Sequence, residues 1–253
     1  MKLLTSKQSV TPYTALASIY DQVMAHVNYR RWAAYIHDII SLFRPQTTMV
    51  IDVSCGTGTF CSFLQRYDYQ VFGLDNSLPM LKQAVQKEIL PKNFICADLS
   101  RPPLSIQVDA AVSLYDSMNY LMESTLWLAA LRNIYNLLQD GGLYIFDVST
   151  VFNSQKDFSQ YVNRETFANG SYLRKSRFDK KKNIQKNYFE IELTQHPKTI
   201  FCEMHLQTIR PLDEVVDFIN KSPFTMVAGY QDFTFKPYHE KCERVHFVLK
   251  KDL

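Results

Sequence analysis

Met49-Val50-Ile51-Asp52-Val53-Ser54-Cys55-Gly56-Thr57-Gly58-Thr59-Phe60 decides the fold. An apolar, β-branched run stops at an aspartate and opens into a turn with two glycines, the pattern of a strand, a tight turn and a helix. The chain has 7 glycines in 253 residues, well under the roughly 7% of average usage. Two of them spaced by one residue after a strand therefore mark a place where a ligand can come close to the backbone.

The spacing separates two ligands. A dinucleotide fingerprint needs a third small residue three positions after the second glycine, so that helix and strand pack closely and a pyrophosphate can sit at the helix start. Cys61 stands there, preceded by Phe60. The stretch instead resembles motif I of the class I S-adenosylmethionine-dependent methyltransferases, read as Asp52, Ser54, Gly56 and Gly58, with Ser54 departing from the first glycine of that motif. The resemblance implies S-adenosyl-L-methionine as cofactor, S-adenosyl-L-homocysteine as product, no metal, and cofactor contacts from Asp52, Ser54, Cys55, Gly56 and Gly58.

A second apolar strand, Val71-Phe72-Gly73-Leu74-Asp75-Asn76-Ser77, also ends in an acid, 23 positions beyond Asp52. In a βαβ unit that acid faces ribose hydroxyls, from which a carboxylate can accept. The resemblance makes Asp75 the ribose ligand, with Asn76 beside it. The other reading of Asp75 is a helix cap, for which Ser77 is the better residue. The resemblance also implies an adenine site at Met80, Asp98 and Leu99, and a cofactor contact at Leu114. A turn or cap role is the rival for Asp98.

Composition narrows the classes. An apolar fraction of 46% supports a substantial core, and a net charge of +3 neither demands nor excludes a polyanionic partner. Five cysteines form no Cys-x-x-Cys, which argues against a structural zinc site and for buried thiols in a reducing compartment. No stretch approaches the roughly 20 apolar residues of a membrane span. Met1 to Ser9 lacks the apolar core of a signal peptide. The expected location is cytoplasmic.

Taken in order, residues 1 to 12 read as loosely held. Helical spacing follows from Tyr13 through Met24, and a second helix runs from Trp32 to Phe43. Between them the Tyr20-Asp21 pair and Tyr29-Arg30-Arg31-Trp32 resemble the segment that folds over the cofactor site in small-molecule methyltransferases. That makes Tyr20 and His26 catalytic candidates and Tyr29 a substrate candidate. Plain packing is the competing role for these aromatics. The helix opened by Ser77 is expected to reach about Glu88.

Val108 to Leu114 is the fourth strand of the alternation. After it, Tyr115-Asp116-Ser117-Met118-Asn119-Tyr120-Leu121 resembles a segment of bacterial methyltransferases acting on small metabolites. Strand carboxyl ends are where open α/β sheets bind ligands, so Tyr115, Asp116 and Asn119 are substrate candidates and Tyr120 a catalytic one. Capping and turn chemistry compete for Asp116 and Asn119. Glu123 to Leu138 is an amphipathic helix, Gln139 to Gly142 a turn, and Leu143 to Val148 a fifth strand, with Asp147 a weaker site candidate.

From about 150 to 210 the period falls to two, predicting antiparallel strands. The stretch 174–186 is basic and includes Lys180, Lys181 and Lys182. A solvated hairpin tip is favoured there over a nucleic-acid surface. The expected fold is α/β: a Rossmann-like class I methyltransferase sheet of seven mostly parallel strands with helices on both faces and an inserted antiparallel β cap. The expected division is 1–45 as a helical segment covering the site, 46–150 as the cofactor-binding core, 151–210 as the cap, and 211–253 as the final helix and last two strands. The expected activity is methyl transfer to nitrogen or oxygen of a small molecule. The alternatives are an RNA or other nucleic-acid methyltransferase using 174–186, or a non-catalytic cofactor-binding relative. No membrane partner is expected.

Overall fold

Successive apolar residues on the strands of the central sheet face two different helical layers in the computed structural model, which describes residues 5–87, 93–101 and 106–252. In chain order the elements are β1 (Ser6–Val10), α1 (Tyr20–Val23), α2 (Tyr29–Phe43), β2 (Met49–Asp52), α3 (Thr59–Leu64), β3 (Gln70–Asp75), α4 (Leu78–Val85), β4 (Phe94–Cys96), β5 (Val108–Ser113), α5 (Ser124–Leu137) and β6 (Leu138–Ser149). They continue with α6 (Val151–Asp157), β7 (Tyr161–Phe167), β8 (Gly170–Asp179), β9 (Ile184–Leu193), β10 (Thr199–Thr208), α7 (Leu212–Asn220), β11 (Thr225–Gln231) and β12 (Arg244–Lys250).

Seven strands form the main sheet in the order β11-β12-β6-β5-β2-β3-β4. Only β12, the last in sequence, runs against its neighbours, pairing antiparallel with both β6 and β11. Val50, Val112, Ile145 and Val248 point toward α2, α3 and α4, where Ile36, Ile39, Ile40, Leu64 and Leu81 cover them. Ile51, Ala111, Tyr144, Phe146 and Phe247 point the other way, onto Trp127, Leu131 and Ile134 of α5 and Phe218 of α7. Burial on both faces is why these strands read as near-continuous apolar runs. Strand order reverses between β2 and β5, and such a switch point opens a crevice at the strand carboxyl ends.

The second sheet has the order β1-β10-β9-β8-β7. It is antiparallel except that β1 joins its edge in parallel, with Ser6 opposite Thr199 and Val10 opposite Glu203. The expectation of a loosely held 1 to 12 therefore fails for residues 6 to 10. The sheet edge offers unpaired backbone groups that any sequence can meet, and the mostly exposed side chains of Ser6 to Val10 carry no alternation that would reveal a strand.

The expected helix from Tyr13 is also broken. Tyr13 sits at φ +62°, a single 3₁₀ turn spans Leu16–Ser18, and α1 is one turn long. Ala15, Leu16 and Ile19 are spent on the second sheet, packing against Tyr172, Phe189 and Ile191. The Gln139 to Gly142 turn proves to be an irregularity inside β6: Val108 pairs with Leu138 and Ala110 with Leu143, with Gly141 at φ +70°. The predicted helix end at Glu88 lies outside the described residues.

Candidate functional site

The glycine turn sits where β2 ends. Gly56 and Gly58 have φ of +55° and +72°, left-handed values that glycine adopts without a Cβ penalty. A Cβ added at Gly56 would stand 3.1 Å from the Met80 Cε, so the turn is packed from the α4 side. Ser77 caps α4 by accepting from the Met80 N–H at 3.4 Å, which releases Asp75 from capping. Asp75 accepts from the Gly56 N–H at 2.8 Å and from the Ser77 N–H at 2.8 Å. Each of its oxygens keeps a second lone pair.

Asp52 is buried, accepting the Ser54 N–H at 3.0 Å. Burial pushes its carboxyl up to about 7, against the hydrogen bonds from Ser54 that favour the charge. Burial also raises Asp75. Asp52, a carboxyl that would ionise more readily beside a cation, thus borders a cleft, while Asp75 stands behind the glycine turn.

Of the predicted residues, Asp52, Ser54, Cys55, Gly56 and Leu114 line that cleft, together with Tyr20, Tyr29 and Tyr115. Trp32, Thr57, Thr59 and Phe60 complete its wall. Gly58, Asp75 and Met80 support the turn from behind. Asp98 and Asn76 are exposed beyond the end of β3 and β4, and Asp98 accepts from the Ser100 N–H and hydroxyl, both at 2.6 Å. Leu99 is half-buried there.

His26 is not brought to the cleft. It is exposed, with Nδ1 3.0 Å from the Val23 carbonyl. Asn119 is buried and donates to the Thr208 carbonyl at 3.1 Å, so its amide stitches the turn after β5 to the second sheet. Its Oδ1 has no partner among the described residues. Asp116 accepts from Gln207 at 2.5 Å, a second stitch of the same kind.

Three groups escaped the sequence reading. Arg244, at the start of β12, binds Asp116 at 2.9 Å and Asp147 on its other side, with its guanidinium over the rings of Trp32 and Tyr115 at 5.5 and 5.2 Å. Burial raises both aspartates while the guanidinium pulls them back down. Burial also opposes the charge on Arg244, but the two carboxylates outweigh it. The pair holds Tyr115 and Asp116 at φ +62° and +53°, a strained conformation at the tip of β5. Asp21 joins α1 to the glycine turn, bonding Thr57, Thr59 and Lys87. Glu203 and His205 lie side by side beneath Tyr13 and Tyr120. An arginine seven strands further along the chain could not be assigned to Asp116 without the β6–β12 pairing.

Residues 50–142 match the family of the methyltransferase domain. With the sheet order and the glycine turn, that match makes residues 50–142 similar to the methyltransferase domain, and the whole chain has the fold of the S-adenosylmethionine-dependent methyltransferases. YqeM of Bacillus subtilis (strain 168), provisionally named a methyltransferase, is 27% identical over 244 residues, covering 94% of this chain and 97% of that protein. A crystal structure of an S-adenosylmethionine-dependent methyltransferase from Clostridium acetobutylicum superposes with a TM-score of 0.81 at 20% identity, over 95% of this chain and 99% of the other. The dTDP-3-amino-3,4,6-trideoxy-alpha-D-glucopyranose N,N-dimethyltransferase of Streptomyces venezuelae is 27% identical over 120 residues, 47% of this chain and 50% of that enzyme. No helix among the described residues is long and apolar enough to cross a membrane.

Proposed function

We propose that this methyltransferase acts on a small molecule bearing an amine or hydroxyl, held between the glycine turn, the Tyr115–Tyr120 turn and the second sheet. The observation that carries the reading is the enclosure of the cleft: Tyr20, Tyr29 and Tyr115 wall it, and the segment before α2 is tied down over it by Asp21. Small-ligand sites combine apolar and aromatic walls with a few placed polar groups. The similarity to the amino-sugar N,N-dimethyltransferase over 120 residues supports an amine in particular.

In this reading, residues 46–150 bind the cofactor, 1–45 cover it, 151–210 close the acceptor side and 211–253 complete the sheet. Gly56 and Gly58 give the backbone approach, Asp75 accepts from ribose hydroxyls, and Met80, Asp98 and Leu99 border the adenine. The Asp52 carboxylate and the faces of Tyr20 and Tyr29 suit a cationic group. The cofactor supplies an electrophilic methyl on a sulfonium. The chain's own work is to hold the acceptor in line, keep water out and accept a proton, with orientation contributing several kcal/mol. Tyr20 steers the acceptor from the cleft wall and Tyr120 takes part in carrying its proton away; His26 is too far out on the surface. Five free cysteines suit a cytoplasmic setting.

The nucleic-acid alternative has one observation in its favour: Lys175, Arg177 and Lys186 are exposed on the outer face of β8 and β9, beside the Lys180–Lys182 tip. A single experiment separates the two. Methyl transfer from labelled cofactor is measured into the small-molecule fraction of a cell extract and into total RNA. Label in small molecules supports the reading. Label only in RNA, lost on neutralising Lys180, Lys181 and Lys182, overturns it.

A further inference from the structure

We propose that Glu203, His205, Tyr120 and Tyr13 form a proton relay of fixed direction that removes a proton from the acceptor amine. This deepens the methyl-transfer reading and rests on it. The argument begins at Glu203, which is fully buried. Its Oε1 accepts the N–H groups of Ala15 at 2.7 Å and Leu16 at 2.9 Å. Its Oε2 accepts the Tyr13 N–H at 2.7 Å and faces His205 Nε2 at 2.9 Å.

Three of these donors are backbone amides, which can never reverse. A carboxylate so surrounded can only accept, so His205 carries its hydrogen on Nε2. The tautomer leaves Nδ1 bare. Nδ1 lies 3.1 Å from the Tyr120 hydroxyl, which must therefore donate to it. The Tyr120 oxygen is then free to accept, and the Tyr13 hydroxyl stands 2.8 Å away as its donor. Three amide bonds thus orient every link of the chain. The Tyr13 oxygen keeps an unused lone pair.

The outer end of the chain adjoins the cleft: the rings of Tyr13 and Tyr20 are 6.0 Å apart, and Tyr20 lines the cleft wall. The charged and titratable groups that face the chain are Asp116 and Arg174 beside Tyr120, and Tyr20 and Asp116 beside Tyr13. The rest of the surroundings is aromatic, with the Phe189 ring 5.1 Å from His205.

The step balances as follows. An acceptor ammonium gives one proton to the Tyr13 oxygen as the Tyr13 proton moves to Tyr120 and the Tyr120 proton to His205 Nδ1. The product is an imidazolium paired with Glu203. The neutral amine then forms its bond to the methyl carbon while the carbon–sulfur electron pair stays on sulfur. Tyr13 is the member that touches substrate; Tyr120, His205 and Glu203 act through it.

The test uses Tyr13→Phe, Tyr120→Phe and His205→Gln in the full chain, with labelled cofactor and the small-molecule fraction of a cell extract as the acceptor probe. Relative to wild type, labelling is expected to fall about a hundredfold near pH 7, the low end of the range for general-base removal. The deficit is expected to shrink to about threefold or less near pH 9.5, where amines shed the proton to solvent unaided. A purely structural role would lower the rate equally at both pH values, and that result overturns the proposal. Nitrogen-15 spectra of the wild-type protein give an arm that needs no acceptor, with the buried histidine assigned by its loss in His205→Gln. A bare Nδ1 supports the relay; a hydrogen on Nδ1 overturns it. If wild type labels no small molecule, the methyl-transfer reading fails on that measurement while the spectrum still decides the relay.

Discussion

The carboxylate of Asp21 accepts the Thr57 hydroxyl at 2.6 Å, joining the segment over the cleft to the glycine turn beneath it. Lys87 strengthens the junction, reaching Asp21 at 2.6 Å, the Thr57 carbonyl at 2.9 Å and Thr59 at 2.7 Å. The cluster is partly exposed, so its worth is modest, about 1 kcal/mol. Asp21→Ala is expected to raise amide hydrogen exchange in residues 13 to 26 and to weaken S-adenosylhomocysteine binding about fivefold with little change in thermal midpoint. Unchanged exchange in that segment would show that Asp21 does not hold the cover down.

Arg244 lies half-buried between the buried Asp147 carboxylate and the half-buried Asp116 carboxylate, and truncating one partner of such a cluster leaves uncompensated charge. Arg244→Met is expected to cost about 3–5 kcal/mol. Adding Asp116→Asn and Asp147→Asn should return much of that loss, because the charges left behind are then gone. Urea unfolding of the single and triple variants measures both numbers. A triple variant no more stable than the single one would mean that Arg244 contributes packing rather than charge.

Asp52 sets a pH dependence with a definite sign. Its carboxyl is pushed up to about 7 in the folded chain, while an unfolded aspartate ionises near about 3.9. Between those values the unfolded chain has released the proton and the folded chain has not. Stability contributed at this site is therefore highest below about pH 4, falls by about 1.4 kcal/mol per pH unit up to about pH 7, and is level above. Asp52→Asn should remove that slope and be more stable than wild type at pH 8 by a margin absent at pH 4. A margin independent of pH would refute the assignment. Cationic cofactor should also drive proton release near pH 6.5, visible as a buffer-dependent binding enthalpy.

Asp75→Ala removes an acceptor proposed for ribose and an anchor of the Gly56 N–H together. Cofactor binding is expected to weaken by about 1.5–3 kcal/mol, the range for a hydrogen bond to a charged group. Calorimetric titration with S-adenosylhomocysteine checks it. Full affinity in this variant would remove Asp75 from the cofactor site.

Neutralising Lys180, Lys181 and Lys182 to Gln should leave methyl transfer to small molecules within about twofold of wild type, since all three are exposed at the hairpin tip. A large loss of small-molecule labelling would bring that tip into the acceptor site.

The central sheet was legible because both of its faces are apolar and each strand ends in turn chemistry. Motif I, Asp75 and the Tyr115–Tyr120 turn followed from that order. The second sheet hid its polarity. In β10 the large apolar Met204 and Leu206 are 45% and 39% exposed, while Glu203, His205 and Gln207 face inward. Alternation reveals a strand but not which face is buried, and here the usual rule is inverted. Burial at Gly58 was not legible either: Gly58 is buried at φ +72°, so valine there would strain the fold as well as block a ligand. Arg244 and Asp21 were invisible because their partners lie in other elements, brought near only by strand order.

β12 enters the sheet between β6 and β11, both of which precede it in the chain. Until it arrives, β6 has an open edge and Asp147 has no cation beside it. A chain emerging from the ribosome can pair β2, β3, β4, β5 and β6 early, and it can lay β1 along β10 once residue 203 is out. It cannot neutralise Asp116 beyond β5 or Asp147 in β6 before residue 244 is made. β12, made after both of its neighbours, is therefore the strand that makes the site electrically habitable, and without it the glycine turn would be whole while Asp116 and Asp147 lacked their guanidinium.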